Sequence, residues 1–378
     1  MRTLLPLSTL LATISSLHAT TLLSPLTTFG NGDGWRAPNE IVTGDTAGTN
    51  TGANYNYLQT GSLERSIGFN PVTGNLIIVS RSTAGNGLRI LNGMTGADAG
   101  FLVQGTGVIS GGAFTTNTVG ASSDGSIYVG NLTTNATTSP FKVYGWTSEG
   151  ASAPTVAYTG AALAGGRVGD DLDVAGSGAG TRIAAGFGSS PAVAGNNGYA
   201  IIDPGLGTAG AVAFTTNLPN AGDFRLGITF AGNTSAVWGK QTSSLLRETT
   251  YSGTVGSAVP GVALTSAGEM AMDLVLVDAV PYLATIDANI STVRIYDMTN
   301  PAAPLLVNSA TTTSGTLTGN GNATGSVQWG AVSGSTATLY AMSTNQGIQA
   351  FTFTSVPEPG SLASLAIGAC LLGSRRRR

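Results

Sequence analysis

Opposite charges recur in tight groups along this chain: Glu64 with Arg65, Arg167 with Asp170 and Asp171, Asp223 with Arg225, and Glu269 with Asp273. Charged residues make up only 9% of it, against about a quarter in an average globular domain, so their grouping is informative. Gathered at the rim of a concave pocket, such groups bind a polar ligand through a few convergent contacts. Scattered, they pair with one another and satisfy loop backbone, the commoner fate of paired charges. The densest carboxylate run, Asp170-Asp171-Leu172-Asp173, offers hard oxygen ligands suited to Ca2+, although it lacks the full spacing of a calcium loop. On a strand Asp171 and Asp173 share one face and Asp170 takes the other, so a calcium ion would rest on Asp171 and Asp173. Trp35, in the loop Gly32-Asp33-Gly34-Trp35, is expected to be exposed and able to stack on a sugar ring. Trp238 and Trp329 are expected in the core.

The single histidine is His18 and the single cysteine Cys370. Both fall in terminal segments expected to be removed, which leaves the body, residues 20–355, with neither. The commonest general base and the preferred zinc and copper ligands are then missing, as is any disulfide framework. Catalysis there would have to run on Asp, Glu, Arg, Tyr, Ser or Thr. No catalytic residue is assigned, and calcium is the only cofactor considered. The body carries 11 basic and 18 acidic residues, and its only lysines are Lys142 and Lys240. Nothing here resembles a basic stripe that would neutralise phosphates, so nucleic acid is not an expected partner.

The elements that must position these groups are short. Runs rich in Val, Ile, Tyr and Phe alternate with Gly, Asn, Asp, Ser and Thr clusters, and no helical period appears, which predicts strands joined by tight turns. The runs recur in register. Ile67 to Val79 reads as strand, turn, strand, and the pattern returns from Val119, Leu172, Leu226, Met272 and Trp329 at spacings of 52, 53, 54, 46 and 57 residues. A third strand follows in most repeats, as at Gly87–Leu91, Phe141–Tyr144, Tyr199–Ile202, Val293–Asp297 and Ile348–Phe353. All-β repeats of this size predict propeller blades of four antiparallel strands. Six blades are expected, with seven as the alternative should residues 20–50 add a strand pair. The last repeat lacks a fourth strand, so the amino-terminal segment is expected to close the ring, with Tyr55–Leu58 as the donor.

Both ends read as addresses. Arg2, the apolar stretch Leu4 to Leu17 and Leu17-His18-Ala19 form a signal peptide with cleavage expected after Ala19. At the other end Pro357-Glu358-Pro359 precedes an apolar run from Leu362 to Gly373 and four arginines, Arg375 to Arg378. The run is short for a comfortable transmembrane helix, which needs about 20 residues, and its arginines would hold its end on the cytoplasmic side. The expected division is 1–19 signal peptide, 20–355 propeller, 356–378 sorting and anchor segment with a short membrane helix.

Pro357, Glu358 and Pro359, followed by an apolar run and terminal arginines, resemble the PEP-CTERM sorting signal of Gram-negative bacteria. The resemblance implies recognition by an exosortase, cleavage near the tripeptide, a transient stay in the inner membrane, and placement at the cell surface or outside the cell alongside exopolysaccharide. The stretch from Arg65 to Gly100, and the strand and turn from Val293 to Pro304, resemble uncharacterised secreted bacterial propellers. Arg65, Arg167 and Arg225 are similar to the arginine cluster of sialidases, which would imply bidentate carboxylate binding. The chain departs from that family in its degenerate aspartate box, Ser122-Ser123-Asp124-Gly125, and in having no evident Tyr–Glu pair. The reading is an exported binding or scaffolding propeller whose ligand sits among Glu64, Arg65, Arg167, Asp170, Asp171, Arg225, Glu269, Asp273 and Trp35. An envelope glycosidase or lyase and an inert coat protein are the alternatives.

Overall fold

A computed structural model describes residues 20–46, 57–81, 87–162, 166–188, 198–214, 222–311 and 324–356. The chain forms six antiparallel sheets. The first is Glu64–Asn70, Asn75–Ser80, Leu88–Asn92 and Asp98–Phe101; the second is Phe114–Ala121, Ile127–Leu132, Phe141–Trp146 and Thr155–Gly160. The third runs Arg167–Ala175, Arg182–Gly188, Tyr199–Asp203 and Thr208–Ala211. The fourth contains Gly227–Phe230, Ala236–Lys240, Arg247–Ser252 and Val255–Ala258, with Ala213–Phe214 added in parallel at its edge. The fifth is Glu269–Val277, Val280–Asp287, Thr292–Asp297 and Leu305–Thr311, and the sixth has Gly325–Ser333, Thr336–Ser343 and Ile348–Val356. The first strands of successive sheets touch one another in order, and the sixth touches the first, so the sheets are blades around a closed ring. Six blades are present, and the seven-bladed alternative is set aside.

The fourth strand of the last blade comes from the amino-terminal side, as expected, but not from Tyr55–Leu58. Thr20–Pro25 pairs along Ile348–Val356, with Trp35–Arg36 continuing on the same edge. Tyr57 and Leu58 are instead buried in the junction between the sixth and first blades, beside Ile67, Tyr340 and Ile348. Thr20–Pro25 covers the open edge with six paired residues, and pairing that edge removes unsatisfied backbone groups that would otherwise template aggregation.

The core is divided into six wedges, one at each blade junction. Trp146, Tyr144 and Ile77 fill the wedge between the first and second blades, for example, and Trp329, Phe353 and Tyr282 the one between the fifth and sixth. Alternate residues of each strand feed the two flanking wedges, because successive side chains point to opposite faces. That requirement explains why the strands read as nearly continuous apolar runs.

Among the described residues no helix is long and apolar enough to cross a membrane. The expected membrane helix, the sorting tripeptide Pro357-Glu358-Pro359 and the cleavage site at Ala19 lie outside the described residues.

Candidate functional site: the two mouths of the channel

Every first strand runs the same way along the ring axis, so the ring has a mouth where these strands begin and another where they end. The first mouth is a pocket of about 360 Å3 lined by Arg65, Arg81, Arg167 and Arg225, with Asp170, Asp171, Asn117, Phe114 and Leu226. The second is wider, about 720 Å3, and carries Asp173, Asp273, Thr229, Gln328 and Trp329. A waist of only about 20 Å3 separates them.

At the narrower mouth Arg167 grips Asp170 with two hydrogen bonds, both 2.6 Å, and Arg225 Nε reaches the same carboxylate at 2.9 Å. The bond to Asp170 raises the already high pKa of Arg167. Arg65 donates to two backbone carbonyls, those of Glu64 at 2.6 Å and Ser62 at 2.7 Å. Arg81 lies over the Phe114 ring at 3.3 Å and donates to Asn117 Oδ1. Its buried Nε has no hydrogen-bond partner among the described residues. Burial, followed by repulsion from Arg65, brings the Arg81 guanidinium down to about 9. Among the described residues neither Arg65 nor Arg81 has a carboxylate ion-pair partner. Four of the body's nine arginines thus converge on one pocket with a single salt-bridged carboxylate between them.

The channel wall is built by a repeated clasp, in which a polar side chain on one first strand accepts the backbone N–H of the next. Ser326 Oγ takes Ile67 N–H at 3.2 Å and Ser66 Oγ takes Val119 N–H at 3.3 Å. Asp171 takes Ile228 N–H at 3.1 Å, Asp173 takes Phe230 N–H at 2.7 Å, and Asp273 takes Trp329 N–H at 2.7 Å. Each aspartate also accepts the N–H of the residue after it. Burial pushes the Asp171 carboxyl well up, with the charge of Asp173 adding to it. Asp173 is raised to about 6 by burial. Asp273 is raised by burial and then by Asp173, and Thr229 Oγ1 lies within 3.2 Å of Asp173 and 3.5 Å of Asp273.

The grouped charges therefore do not form one ring. Arg65, Arg167, Asp170, Asp171 and Arg225 meet at the narrower mouth, whereas Asp273 opens on the wider one. Glu64 is buried beside the Gln59 and Asn345 N–H groups, its carboxyl raised by burial. Asp223 is buried against Arg247 at 2.8 Å. Glu269 is buried beneath Tyr296, whose hydroxyl lies 3.0 Å from both carboxylate oxygens, with Arg294 at 3.4 Å. Trp35 is half-buried on the outer edge of the sixth blade, its Nε1 donating to the Gln346 carbonyl at 2.8 Å, away from both mouths. Trp238 and Trp329 are buried. Asp171 and Asp173 share a channel-facing side, but their oxygens serve as backbone acceptors. Among the described residues no group of three His, Cys, Asp or Glu side chains assembles that could hold a metal ion.

Arg81 was not singled out from the sequence, yet the repeat contains its signal. A second strand runs antiparallel to the first, so its end lies beside the first strand's start: Ser80 pairs with Glu64 and Arg81 N–H bonds to the Leu63 carbonyl at 2.9 Å.

Among solved structures the fold is similar to a DUF4623 family protein from Bacteroides eggerthii, at 16% identity over 84% of this chain and 77% of that one, with a TM-score of 0.59. It is also similar to a gluconolactonase from Xanthomonas campestris, at 11% identity over 79% of this chain and 88% of that one, with a TM-score of 0.50. At such identities the likeness is one of fold, and fold does not carry activity. No curated protein matches the sequence. Residues 355–378 match the PEP-CTERM protein-sorting motif. The chain is an exported protein with a six-bladed propeller body ending in a PEP-CTERM sorting motif.

Proposed function

We propose that the propeller is a cell-surface binding module whose arginine-lined mouth takes carboxylate groups of an acidic extracellular polysaccharide. The supporting observation is the convergence of four guanidinium groups on one pocket holding one salt-bridged carboxylate. Guanidinium matches the two oxygens of a carboxylate with paired N–H donors. An incoming anion would favour the charged form of Arg81, which burial and its cationic neighbours now disfavour. Phe114, Leu226 and Ile286 give the pocket an apolar wall against which the carbon face of a sugar can lie. The tail delivers this module: its apolar run enters the inner membrane, and an exosortase-type enzyme cuts near Pro357-Glu358-Pro359, leaving the propeller attached at the surface or released. Replacing Glu358 by Gln is expected to leave an uncut precursor on a blot of fractionated cells.

Calorimetric titration of the purified body, residues 20–356, with oligogalacturonate and with neutral dextran tests the binding reading. Binding of the acidic glycan alone, weakened at least tenfold by Arg81→Ala or Arg225→Ala, is the expected result. Equal binding of both, or none, overturns it, and none leaves an inert coat as the better account. Repeating the titration with Ca2+ and with a chelator tests whether Asp171 and Asp173 hold a metal.

A second reading, an envelope glycosidase, draws on the wide mouth, where Asp173 and Asp273 flank Thr229. Carboxylate pairs run glycoside hydrolysis. Glycan hydrolysis lost on Asp273→Asn would favour it over the binding reading.

A further inference from the structure

The third strand of the sixth blade ends at the wide-mouth face. Its first residue, Ile348, pairs with Met342 near the arginine mouth, and Thr354 pairs with Thr336 beside the turn at the far end. The last described strand therefore ends at Val356 on that face, and Leu362, the start of the apolar run, is six residues further along the sequence. At about 3.3–3.6 Å per residue this leash spans at most about 20 Å. A compact body of this length has a radius of gyration of about 20 Å, so the leash is only about half as long as the propeller is wide.

Charge divides between the two faces in the same sense. Arg182 is the only basic residue at the wide-mouth face among the described residues, where Asp124, Glu149, Asp203, Asp278 and Asp297 also lie. Aliphatic side chains tip its turns: Val72, Leu206, Val255, Leu276 and Val332 are each 44–76% exposed. Arg65, Arg81, Arg167, Arg225, Lys142 and Lys240 all lie at the opposite end of their strands.

We propose that, while the tail is in the bilayer, the wide-mouth face is the surface turned to the lipid and the arginine mouth opens away from it. The proposal rests on the reading that the tail inserts, and is independent of what the arginine mouth binds. A leash of this length does not let the arginine face swing down to the headgroups. The aliphatic tips suit contact with an uncharged lipid surface, and the carboxylates discourage contact with an anionic one. The ligand site is then open before cleavage as well as after it, and the processing enzyme must work in the narrow gap beneath the wide mouth.

The test uses the full chain with Cys370→Ser, which removes its only cysteine, reconstituted in phosphatidylcholine vesicles containing a headgroup-bound quencher. A fluorophore is attached at Val72→Cys or Leu206→Cys on the wide-mouth face, or at Leu245→Cys or Ile290→Cys on the arginine face. The wide-face dyes are expected to be quenched several-fold more. Inserting twenty Gly and Ser residues between Val356 and Pro357 should erase most of that contrast. Equal or reversed quenching in the uninserted chain overturns the orientation, as does a contrast that survives the insertion. A chain that does not float with the vesicles removes tail insertion and the proposal with it, while leaving the titration of the soluble body to judge the arginine mouth separately.

Discussion

Thr20 stands directly opposite Val356 in the antiparallel pair that closes the ring. The first residue expected after signal cleavage and the last residue before the sorting tripeptide therefore share one seam. Three strands of the sixth blade come from the carboxy-terminal side, and its outer edge is built by Thr20–Pro25 and Trp35–Arg36 from the amino-terminal side. The seam also ties into the fifth blade, since Thr21 Oγ1 donates to the Val307 carbonyl at 3.0 Å and Asn308 Nδ2 donates to the Thr21 carbonyl at 3.2 Å. The ring is complete only when both ends of the body are present.

Removing Thr20–Pro25 strips that strand and exposes the row of backbone groups on Ile348–Val356. Such a body is expected to melt at least 10 °C lower than the 20–356 protein, or to aggregate. Ending the chain at Val356 should leave the melting temperature of the body unchanged. Equal melting of the 20–356 and 26–356 proteins in differential scanning calorimetry would contradict the seam.

The channel aspartates give stability an unusual pH dependence. An unfolded aspartate titrates near 3.9, whereas Asp173 in the folded ring titrates near 6 because burial disfavours its charge. Between about pH 4 and pH 6 the folded state therefore binds more protons than the unfolded one, so stability falls as pH rises through that window. The contribution is fully present below pH 4 and lost above pH 6. Relative to Asp173→Asn, the parent protein should lose a few degrees of melting temperature between pH 4 and pH 7. Parallel pH profiles for the two would show that this group does not carry the effect.

Arg89 and Asp98 form an ion pair in which both side chains are 1% exposed. Asp98 N–H is in turn held by Asp45 at 2.6 Å, and Asp45 pairs with the fully buried Arg36. Taking away one member of a buried pair strands the other charge, at a cost of about 3–5 kcal/mol. Arg89→Ala is expected to lose stability in that range by urea denaturation, and the double variant Arg89→Met with Asp98→Leu to lose clearly less.

Gly186 has no room for a side chain. A Cβ there would sit 1.7 Å from the Phe224 carbonyl oxygen and 3.1 Å from Arg225 Cα. Gly186→Ala must push the 224–225 loop aside and with it the guanidinium that reaches Asp170. Lower stability together with weaker oligogalacturonate binding is expected. A variant that is destabilised yet binds with unchanged affinity would show that Arg225 tolerates the shift.

Much of the architecture was legible because it is local. A strand, a tight turn and a returning strand are specified within about a dozen residues, as in Ile67 to Val79, and repeating that unit at intervals of about fifty residues leaves few arrangements other than blades. The missing fourth strand in the last repeat likewise announced a closing strand. Its identity was not legible, because Thr20–Pro25 and Tyr55–Leu58 are both short apolar segments, and only the distance to the open edge separates them.

The sequence by itself determined the repeat, the two terminal addresses and the absence of His and Cys from the body, since each of these is a matter of composition or order along the chain. The tertiary structure alone decided which charges meet. Asp170, Asp223 and Glu269 all stand in or just before a first strand, yet only Asp170 faces the arginine mouth, where a register shift between Val168 and Leu172 breaks the strand's alternation and both Asp170 and Asp171 line the pocket. It also decided that Asp171, Asp173 and Asp273 hold adjacent blades, and that Arg81 joins Arg65, Arg167 and Arg225. Those four arginines are spread over 160 residues of sequence and come together because ring closure brings the ends of three blades' strands to one axis.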